Sequence, residues 1–211
     1  MKLYHGSKLI VKNPTSAGSK SDNDYGSAFY CTLDVASAHE WACRSKSVGY
    51  VNEYELKING LKILDLTDKD KYLVLNWVAI LLHFRNLDNS FVRSFNKRLE
   101  YIENNYYIDV KEYDLVIGYR ADDAYFRFPL EFVRGNITLS QLERSFKLGE
   151  LSIQYVITSD KGISNLKFIK PFLSEEKYIN RYFDNVKKAT ERLDALDKDE
   201  DGIRIFDLMR N

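Results

Sequence analysis

The chain has 211 residues, which is enough for one domain with a full core and an appendage but too few for two ordinary domains. Apolar residues make up 45% of the chain and aromatic residues 14%, so the composition excludes general disorder. Its 31 lysines and arginines balance 31 aspartates and glutamates, so a nucleic acid or an anionic membrane could be bound only through a local patch.

Two further features concern the compartment. The beginning of the chain has no apolar segment like that of a secretory signal peptide, and the longest apolar run, residues 77–82, is too short to cross a bilayer. Cys31 and Cys43 could be neighbours, but two buried free thiols are the simpler interpretation. These features predict a cytoplasmic protein with no membrane partner, unless it is released by a route that needs no signal peptide.

The start of the chain predicts a strand followed by a turn. Residues 2–5 are expected to be extended, and Gly6-Ser7 is expected to form a turn whose backbone can lie close to a ligand. His5 directly precedes this turn, which makes it a candidate ligand-binding residue rather than a solvated surface histidine. Residues 12–24 are polar and predict a loop near the mouth of a cleft.

Residues 24–42 predict a strand followed by a helix, and we expect the rest of the chain to be arranged around them. Gly26 allows the backbone to approach a ligand. If residues 29–32 are extended, the side chains of Phe29 and Tyr30 face opposite ways, so one ring can lie in the core while the other faces a cleft. We assign Tyr30 to the cleft.

The helix after this strand is predicted to begin near Asp34 and to run to about Ser47. Trp41 and two alanines form an apolar stripe along it. From the pattern alone, Trp41 is explained as a core residue. His39 points away from the stripe, so we expect it to be solvated.

The middle of the chain predicts elements that supply much of the core. Two strands, residues 50–56 and 61–66, are joined at Asn59-Gly60, which is a strong turn signal. Residues 70–85 predict a helix that is apolar around most of its girth and therefore buried. Residues 113–119 predict a central strand, because their middle is uniformly apolar.

A helix predicted over residues 91–104 carries a basic side formed by Arg93, Lys97 and Arg98. A solvated face is the ordinary interpretation of such a pattern. Contact with an acceptor molecule or with RNA is the alternative.

The last third of the chain completes the domain and adds an amphipathic segment. It predicts a helix over residues 120–133 opened by Arg120-Ala121-Asp122-Asp123, a helix over 138–147 capped by Thr138 and ended by Gly149, a strand over 151–158, a short helix, and a strand over 166–169. The composition changes after Pro171. We therefore divide the chain into a domain of residues 1–172 and an amphipathic helical appendage of residues 173–211.

The apolar spacing in the appendage predicts a helix from Glu175 to about Leu196. Its apolar side carries Tyr178, Tyr182, Val186, Ala189 and Leu193. This helix is expected to dock on the domain or on a partner protein. The acidic segment that follows begins like a calcium loop, but Leu208 stands where the ligating glutamate should be. We predict no metal site.

Three motifs, in this order, resemble those of the ADP-ribosyltransferase superfamily. They are His5-Gly6-Ser7, then Gly26-Ser27-Ala28-Phe29-Tyr30-Cys31-Thr32, and then Gln154-Tyr155-Val156-Ile157. The chain is most similar to a bacterial branch, the DUF3990 family, which sits with the diphtheria-toxin and poly(ADP-ribose) polymerase group. Each motif is weak alone, but their order and spacing over residues 3–157 make the set fairly specific.

The resemblance implies an α+β fold of the ADP-ribosyltransferase type, with two packed mixed β-sheets around an NAD cleft and helices at the periphery. It implies a mono-ADP-ribosyltransferase that uses NAD as co-substrate and needs no metal. The acceptor would be a macromolecule, either protein or nucleic acid. By the same analogy the protein would act as a bacterial toxin or defence effector, and the C-terminal helix could bind an antitoxin.

The resemblance also assigns roles to individual residues. It implies catalytic positions at His5, Tyr30 and Gln154, and NAD-binding positions at His5, Gly6, Ser7, Gly26, Tyr30 and Trp41. His5 would bond the adenosine-side ribose, and the Gly6 backbone would hold the nicotinamide amide. Trp41 would stack on nicotinamide opposite Tyr30.

The chain departs from the family pattern at two positions, since Ala28 replaces a glycine and Gln154 stands where glutamate is common. The Gln154 oxygen can accept a hydrogen bond from a ribose hydroxyl, but the side chain has no charge and cannot be a general base. Glu150 shares its strand face but lies roughly 13 Å away, at about 3.3 Å per residue, so it cannot reach the same ribose.

The change to Gln154 leaves more than one function open. It favours mono-transfer, a slow enzyme, or an inactive NAD-binding or interaction module. RNA binding through residues 93–98 is a weaker alternative. If the cleft is active, the sequence predicts that Gln154→Glu keeps or raises NAD cleavage, because a carboxylate adds charge opposite the developing cation.

Overall fold

The computed structural model describes residues 1–121, 125–148, 152–181 and 201–210, together with Asp184, Lys187, Glu191, Leu193, Ala195 and Asp199. Its strands are β1 (Lys2–Ser7), β2 (Phe29–Cys31), β3 (Tyr50–Leu56), β4 (Ile63–Asp65), β5 (Leu115–Tyr119), β6 (Ile153–Ile157) and β7 (Leu166–Leu173). Its α-helices are α1 (Val35–Cys43), α2 (Val74–Phe84), α3 (Asn89–Tyr106), α4 (Arg127–Arg134), α5 (Leu139–Leu148), α6 (Asp160–Ser164) and α7 (Ile205–Leu208), with 3₁₀ turns at Val110–Glu112 and Glu176–Tyr178.

The strands form two sheets. In the first sheet the order is β1-β3-β7, and both pairings are antiparallel. In the second the order is β2-β6-β5-β4, with β4 parallel to β5 and the other pairings antiparallel. The predicted α+β class with two sheets is confirmed.

The sheets pack face to face, and helices cover their outer faces. Leu3 and Tyr54 from the first sheet share a buried cluster with Phe29 and Ile157 from the second. Alternation sends the neighbouring residue, Val156, to the other face, where it belongs to a buried cluster that includes residues of α2, α4 and α5. Helix α1 covers the outer face of the first sheet, so the chain forms four layers.

A backbone bridge joins the two sheets at their edges. The N–H of Tyr4 donates to the carbonyl of Thr32 at 2.8 Å, and the N–H of Thr32 donates to the carbonyl of Tyr4 at 2.9 Å. This bridge brings the ends of β1 and β2 together. Two motifs that lie about 25 residues apart in the chain therefore become neighbours.

The predicted strand over residues 50–56 is confirmed residue for residue, and β5 lies inside its sheet as predicted. The turn at Gly60 is also present, with φ at +80°. However, it does not join two paired strands: β3 and β4 belong to different sheets. Leu64 in β4 is fully buried against the helices beneath the second sheet, so β4 pairs with β5 instead.

Two predicted helix starts are wrong. Helix α2 begins at Val74 rather than at residue 70, after a series of turns. Arg120 and Ala121 are not helical, because their N–H groups donate to the carbonyl of Ser152 and to the carboxylate of Asp24. The acids Asp122 and Asp123, predicted to open that helix, lie outside the described residues.

His39 is buried, contrary to the prediction that it is solvated. It is only 7% exposed, its Nδ1 lies 2.9 Å from the hydroxyl of Ser174, and its ring stacks on Tyr178 with 4.6 Å between centroids. The reason is that the segment after β7 covers this side of α1. Burial lowers the pKa of His39 below its ordinary value.

The C-terminal segment also contributes to the main core. Ile205 in α7 is fully buried there, and the carbonyl of Ile203 accepts a hydrogen bond from the N–H of Leu139 at 2.7 Å. Tyr182, Val186 and Ala189 of the predicted amphipathic helix lie outside the described residues, as do Gly149 and Glu150. None of the helices in the described part of the chain is both long and apolar enough to cross a bilayer.

Candidate functional site

A cavity of about 250 Å³ lies beside the bridge between β1 and β2. Of the predicted site residues it is lined by His5, Gly6, Tyr30, Trp41 and Gln154. The sequence analysis did not assign the other described lining residues to a site; they are Ser19, Asn23, Asp24, Arg44, Arg85 and Arg120. The cavity therefore combines side chains from three separated motifs with a set of charged groups.

A larger cavity of about 410 Å³ lies elsewhere, and its described lining includes Leu66, Tyr72 and Tyr119. None of the predicted site residues is among those lining residues. We take the smaller cavity as the candidate site, because charged and aromatic groups able to bind a polar ligand converge there.

The ring of His5 is held in one orientation by a hydrogen bond to the backbone of Tyr30 in β2. Its Nδ1 lies 2.7 Å from the carbonyl oxygen of Tyr30, and since a carbonyl can only accept, Nδ1 carries the proton. The ring also contacts Phe29, with 4.5 Å between centroids. Burial lowers the pKa of His5, so at neutral pH its Nε2 is an acceptor for a ligand hydroxyl.

Tyr30 presents its ring rather than its hydroxyl. The hydroxyl donates to the carbonyl of Gly26 at 2.5 Å and accepts from the N–H of Tyr25 at 3.2 Å, so the preceding loop holds it. Burial raises the pKa of Tyr30 well above its ordinary value. Phe29, on the opposite face, is buried between the sheets, so the alternation predicted for this pair is confirmed.

Gly6 allows α1 to pack against the end of β1. A Cβ at this position would lie 2.0 Å from the carbonyl oxygen of Ala38 and 2.7 Å from the backbone nitrogen of Ala42. Only a glycine permits so close an approach. Through this contact, Gly6 brings Trp41 to the cavity.

Gly26 and Ser7, also predicted to bind NAD, are not among the described lining residues. Gly26 has φ at +75°, and a Cβ there would lie 2.6 Å from the ring of Phe84. Its position is thus explained by the loop conformation and by packing. The hydroxyl of Ser7 accepts a hydrogen bond from the N–H of Leu9 at 3.2 Å.

Trp41 carries an unpaired donor. Its indole Nε1 is buried and has no hydrogen-bond partner within the described part of the chain. The guanidinium of Arg120 lies over its ring, 5.1 Å from the centroid. A buried donor without a partner costs about 1–3 kcal/mol, so an acceptor supplied by a ligand would stabilise this site.

Gln154 and Asp24 form a buried pair. The Nε2 of Gln154 donates to Oδ2 of Asp24 at 3.0 Å, and the same oxygen accepts from the N–H of Ala121 at 2.9 Å. Oδ1 of Asp24 lies 3.7 Å from Nη1 of Arg85. The side chain predicted to contact ribose is therefore bonded to a carboxylate that the sequence analysis did not identify.

The charges of the lining favour an anion. Arg44, Arg85 and Arg120 supply guanidinium groups, and Asp24 is the one carboxylate among the described lining residues. Guanidinium groups bind phosphate oxygens through charge-assisted hydrogen bonds. A sequence signal for two of these arginines exists, because Arg85 directly follows a buried helix and Arg120 directly follows a buried strand.

The fold and the cavity define an α+β protein whose two sheets meet at an aromatic, positively charged cleft. The model of the family described as "Protein of unknown function (DUF3990)" matches residues 1–168. The chain therefore belongs to the DUF3990 family, as its motifs predicted. No curated protein and no solved structure matches the chain.

Proposed function

We propose that this protein is a mono-ADP-ribosyltransferase, which moves ADP-ribose from NAD to a protein or nucleic-acid acceptor. One observation supports this most: His5, Tyr30 and Gln154, from three motifs far apart in the sequence, line one cavity together with Trp41. A role as a bacterial toxin or defence effector, with an antitoxin, rests on the resemblance alone.

The lining residues fit the parts of NAD. Tyr30 and Trp41 offer aromatic rings on which nicotinamide can stack, each worth about 1 kcal/mol beyond burial. The Nε2 of His5 can accept from a ribose hydroxyl, and the arginines can bind the diphosphate. The cavity, about 250 Å³ in volume, is smaller than the usual ligand pocket of about 300–1,000 Å³, so part of the dinucleotide would lie outside it.

In the transfer, the bond between ribose C1′ and the nicotinamide nitrogen breaks, and its electron pair leaves with neutral nicotinamide. The acceptor's lone pair then forms the new bond to C1′, and the acceptor's proton is released. The ribose carries developing positive charge between these events, so groups that stabilise a cation accelerate the reaction. The aromatic rings hold the leaving base, and the Gln154 oxygen can accept from a ribose hydroxyl.

The test is direct. The protein is incubated with adenine-labelled NAD and a whole-cell extract, and both nicotinamide release and label in protein, RNA and DNA are measured. We expect nicotinamide release together with label in one of these acceptors. NAD binding without release by any acceptor supplied would replace the proposal with the inactive module.

The inactive NAD-binding module is the second candidate, and Gln154 favours it. Its amide nitrogen is already bonded to Asp24, and it carries no charge of its own. Calorimetric binding of NAD with no turnover would support this candidate.

RNA binding through Arg93, Lys97 and Arg98 has less support. The guanidinium of Arg98 donates to the carbonyls of Val133 and Arg134 at 2.8 and 2.7 Å. It thus caps the C-terminal end of α4, which is a structural reason for one of the three basic residues. A salt-dependent shift of labelled RNA would revive this alternative.

In this proposal residues 173–211 are the candidate segment for binding a partner protein, although Ile205 within them lies in the main core. One described ion pair, between Arg181 and the buried carboxylate of Glu40 at 2.9 Å, holds this segment to α1. A partner that bound near Arg181 would contact or displace α1, the helix that carries Trp41. The partner would be sought by co-purification with the full chain and with a chain ending at residue 172.

A further inference from the structure

Asp24 is a carboxylate inside the candidate site, and no motif pointed to it. It is 6% exposed and lies in the loop before β2. Its partners come from three separate segments: the N–H of Ala121 after β5, the amide of Gln154 in β6, and Arg85 at the end of α2. All three are donors or cations, which is how proteins compensate a buried carboxylate.

These contacts determine how Gln154 is oriented. Because Asp24 accepts from Nε2, the amide oxygen is the group that remains for a ligand. A flipped amide would bring its oxygen against Oδ2 of Asp24, and two acceptors repel. The backbone of Gln154 is fixed as well, since it pairs with Gly118 in the sheet.

We propose that Asp24 and Gln154 act as one unit in which Asp24, a positioning residue, supplies the negative charge that the third motif lacks. This inference rests on the proposed function. The Gln154 oxygen meets the ribose hydroxyl, and the carboxylate one hydrogen bond behind it polarises the amide and opposes the cation that develops at C1′. The carboxylate lies in the loop before β2, the strand that pairs with β6, rather than on β6 itself.

If Asp24 and Gln154 act together, the expected activity of the Gln154→Glu variant changes. Gln154→Glu alone would place two carboxylates within hydrogen-bond distance, and like charges that close repel each other. We therefore expect the single variant to be less active than the parent, contrary to the expectation from the sequence.

The test compares four variants in nicotinamide release, with NAD binding by calorimetry and thermal melts on each. Asp24→Asn removes the charge, and Asp24→Asn with Gln154→Glu moves it from the loop to the strand. Asp22→Asn is the control, since Asp22 lies in the same loop, bonds Asn86 and does not line the cavity. Gln154→Glu alone completes the set.

We expect Asp24→Asn to lower kcat about tenfold or more while the Kd for NAD changes by less than about threefold. The exchanged double variant should be at least about tenfold more active than Gln154→Glu alone and also more active than Asp24→Asn, because relief of repulsion alone would restore it only to the level of Asp24→Asn. Asp22→Asn should match the parent.

The outcomes separate the inference from the function on which it rests. If the parent releases no nicotinamide with any acceptor, the proposed function fails and this inference fails with it. If the parent is active and Asp24→Asn equals the Asp22→Asn control, the inference alone fails. If Asp24→Asn does not fold, the double variant decides, and a double variant no more active than Gln154→Glu overturns the unit.

Discussion

Helix α1 carries two aromatic side chains, His39 and Trp41, whose surroundings differ. The Nδ1 of His39 lies 2.9 Å from the hydroxyl of Ser174, and its ring is covered by Tyr178. The indole N–H of Trp41 is buried without a partner in the described part of the chain, and its ring lines the cavity. A hydrogen-bonded buried group such as His39 is expected to stabilise the fold, whereas an unpaired donor that lines a cavity is a candidate to bind a ligand or an ordered water.

Removal of the segment that covers His39 is expected to destabilise the fold strongly. A chain ending at Leu173 loses the Ser174 bond, the Tyr178 stack and buried Ile205. We expect its free energy of unfolding to fall by about 3 kcal/mol or more, because burial of Ile205 alone is worth about 1.5–3 kcal/mol. Urea unfolding measures this. An unchanged midpoint would show that the segment is an independent appendage.

Two variants of adjacent residues on β2 distinguish a side chain that stabilises the core from one that lines the cavity. Phe29→Ala should lower the free energy of unfolding by about 3–5 kcal/mol, because Phe29 is buried between the sheets. Tyr30→Ala should destabilise less but lower NAD turnover more, since its ring lines the cavity. Nicotinamide release measured beside thermal melts checks both. Activity losses that simply follow stability in the two variants would contradict the assignment.

Local patterns predicted much of this structure. Strand periodicity identified β3 and the face of Tyr30, and the Thr138 cap is present, with its hydroxyl accepting from the N–H of Gln141 at 3.2 Å. Each of these depends on residues a few positions apart. The three motifs likewise predicted the family, and His5, Tyr30 and Gln154 from these motifs line one cavity.

The pattern could not predict contacts between distant segments. Gln154 lies 130 positions from Asp24, and Ser174 lies 135 positions from His39. Nothing in the periodicity of either segment indicates its partner, because the pairing depends on how the sheets stack. The same reason explains why β4 pairs with β5 rather than β3.

The pH dependence of stability tests the burial of His39 without removing any part of the chain. Burial lowers the pKa of His39 in the folded state below about 6.5, the ordinary value in an unfolded chain. The unfolded state therefore binds more protons, and stability should fall as pH decreases through about 6.5. His5, whose pKa burial also lowers, contributes in the same direction. We expect melts of His39→Gln between about pH 7.5 and about pH 5.5 to show a smaller decline than the parent, and an equal decline would contradict it.

The substitution with the smallest expected effect, Trp41→Phe, tests the N–H group of the Trp41 indole. Trp41→Phe keeps an aromatic ring in the cavity but deletes the unpaired indole donor. If that donor serves a ligand, the Kd for NAD should rise about fivefold to tenfold, which corresponds to a hydrogen bond of about 1–1.4 kcal/mol. The free energy of unfolding should change little or increase, since an unsatisfied buried donor is removed along with some ring area.

His39→Phe is the matched control for Trp41→Phe. It deletes a hydrogen-bonded group on the same helix, so it should destabilise the fold and leave the Kd for NAD unchanged. Calorimetric titration and urea unfolding of both variants decide the matter. A Trp41→Phe protein that is destabilised and binds NAD as the parent does would show that Trp41, like His39, is part of the structure rather than of the site.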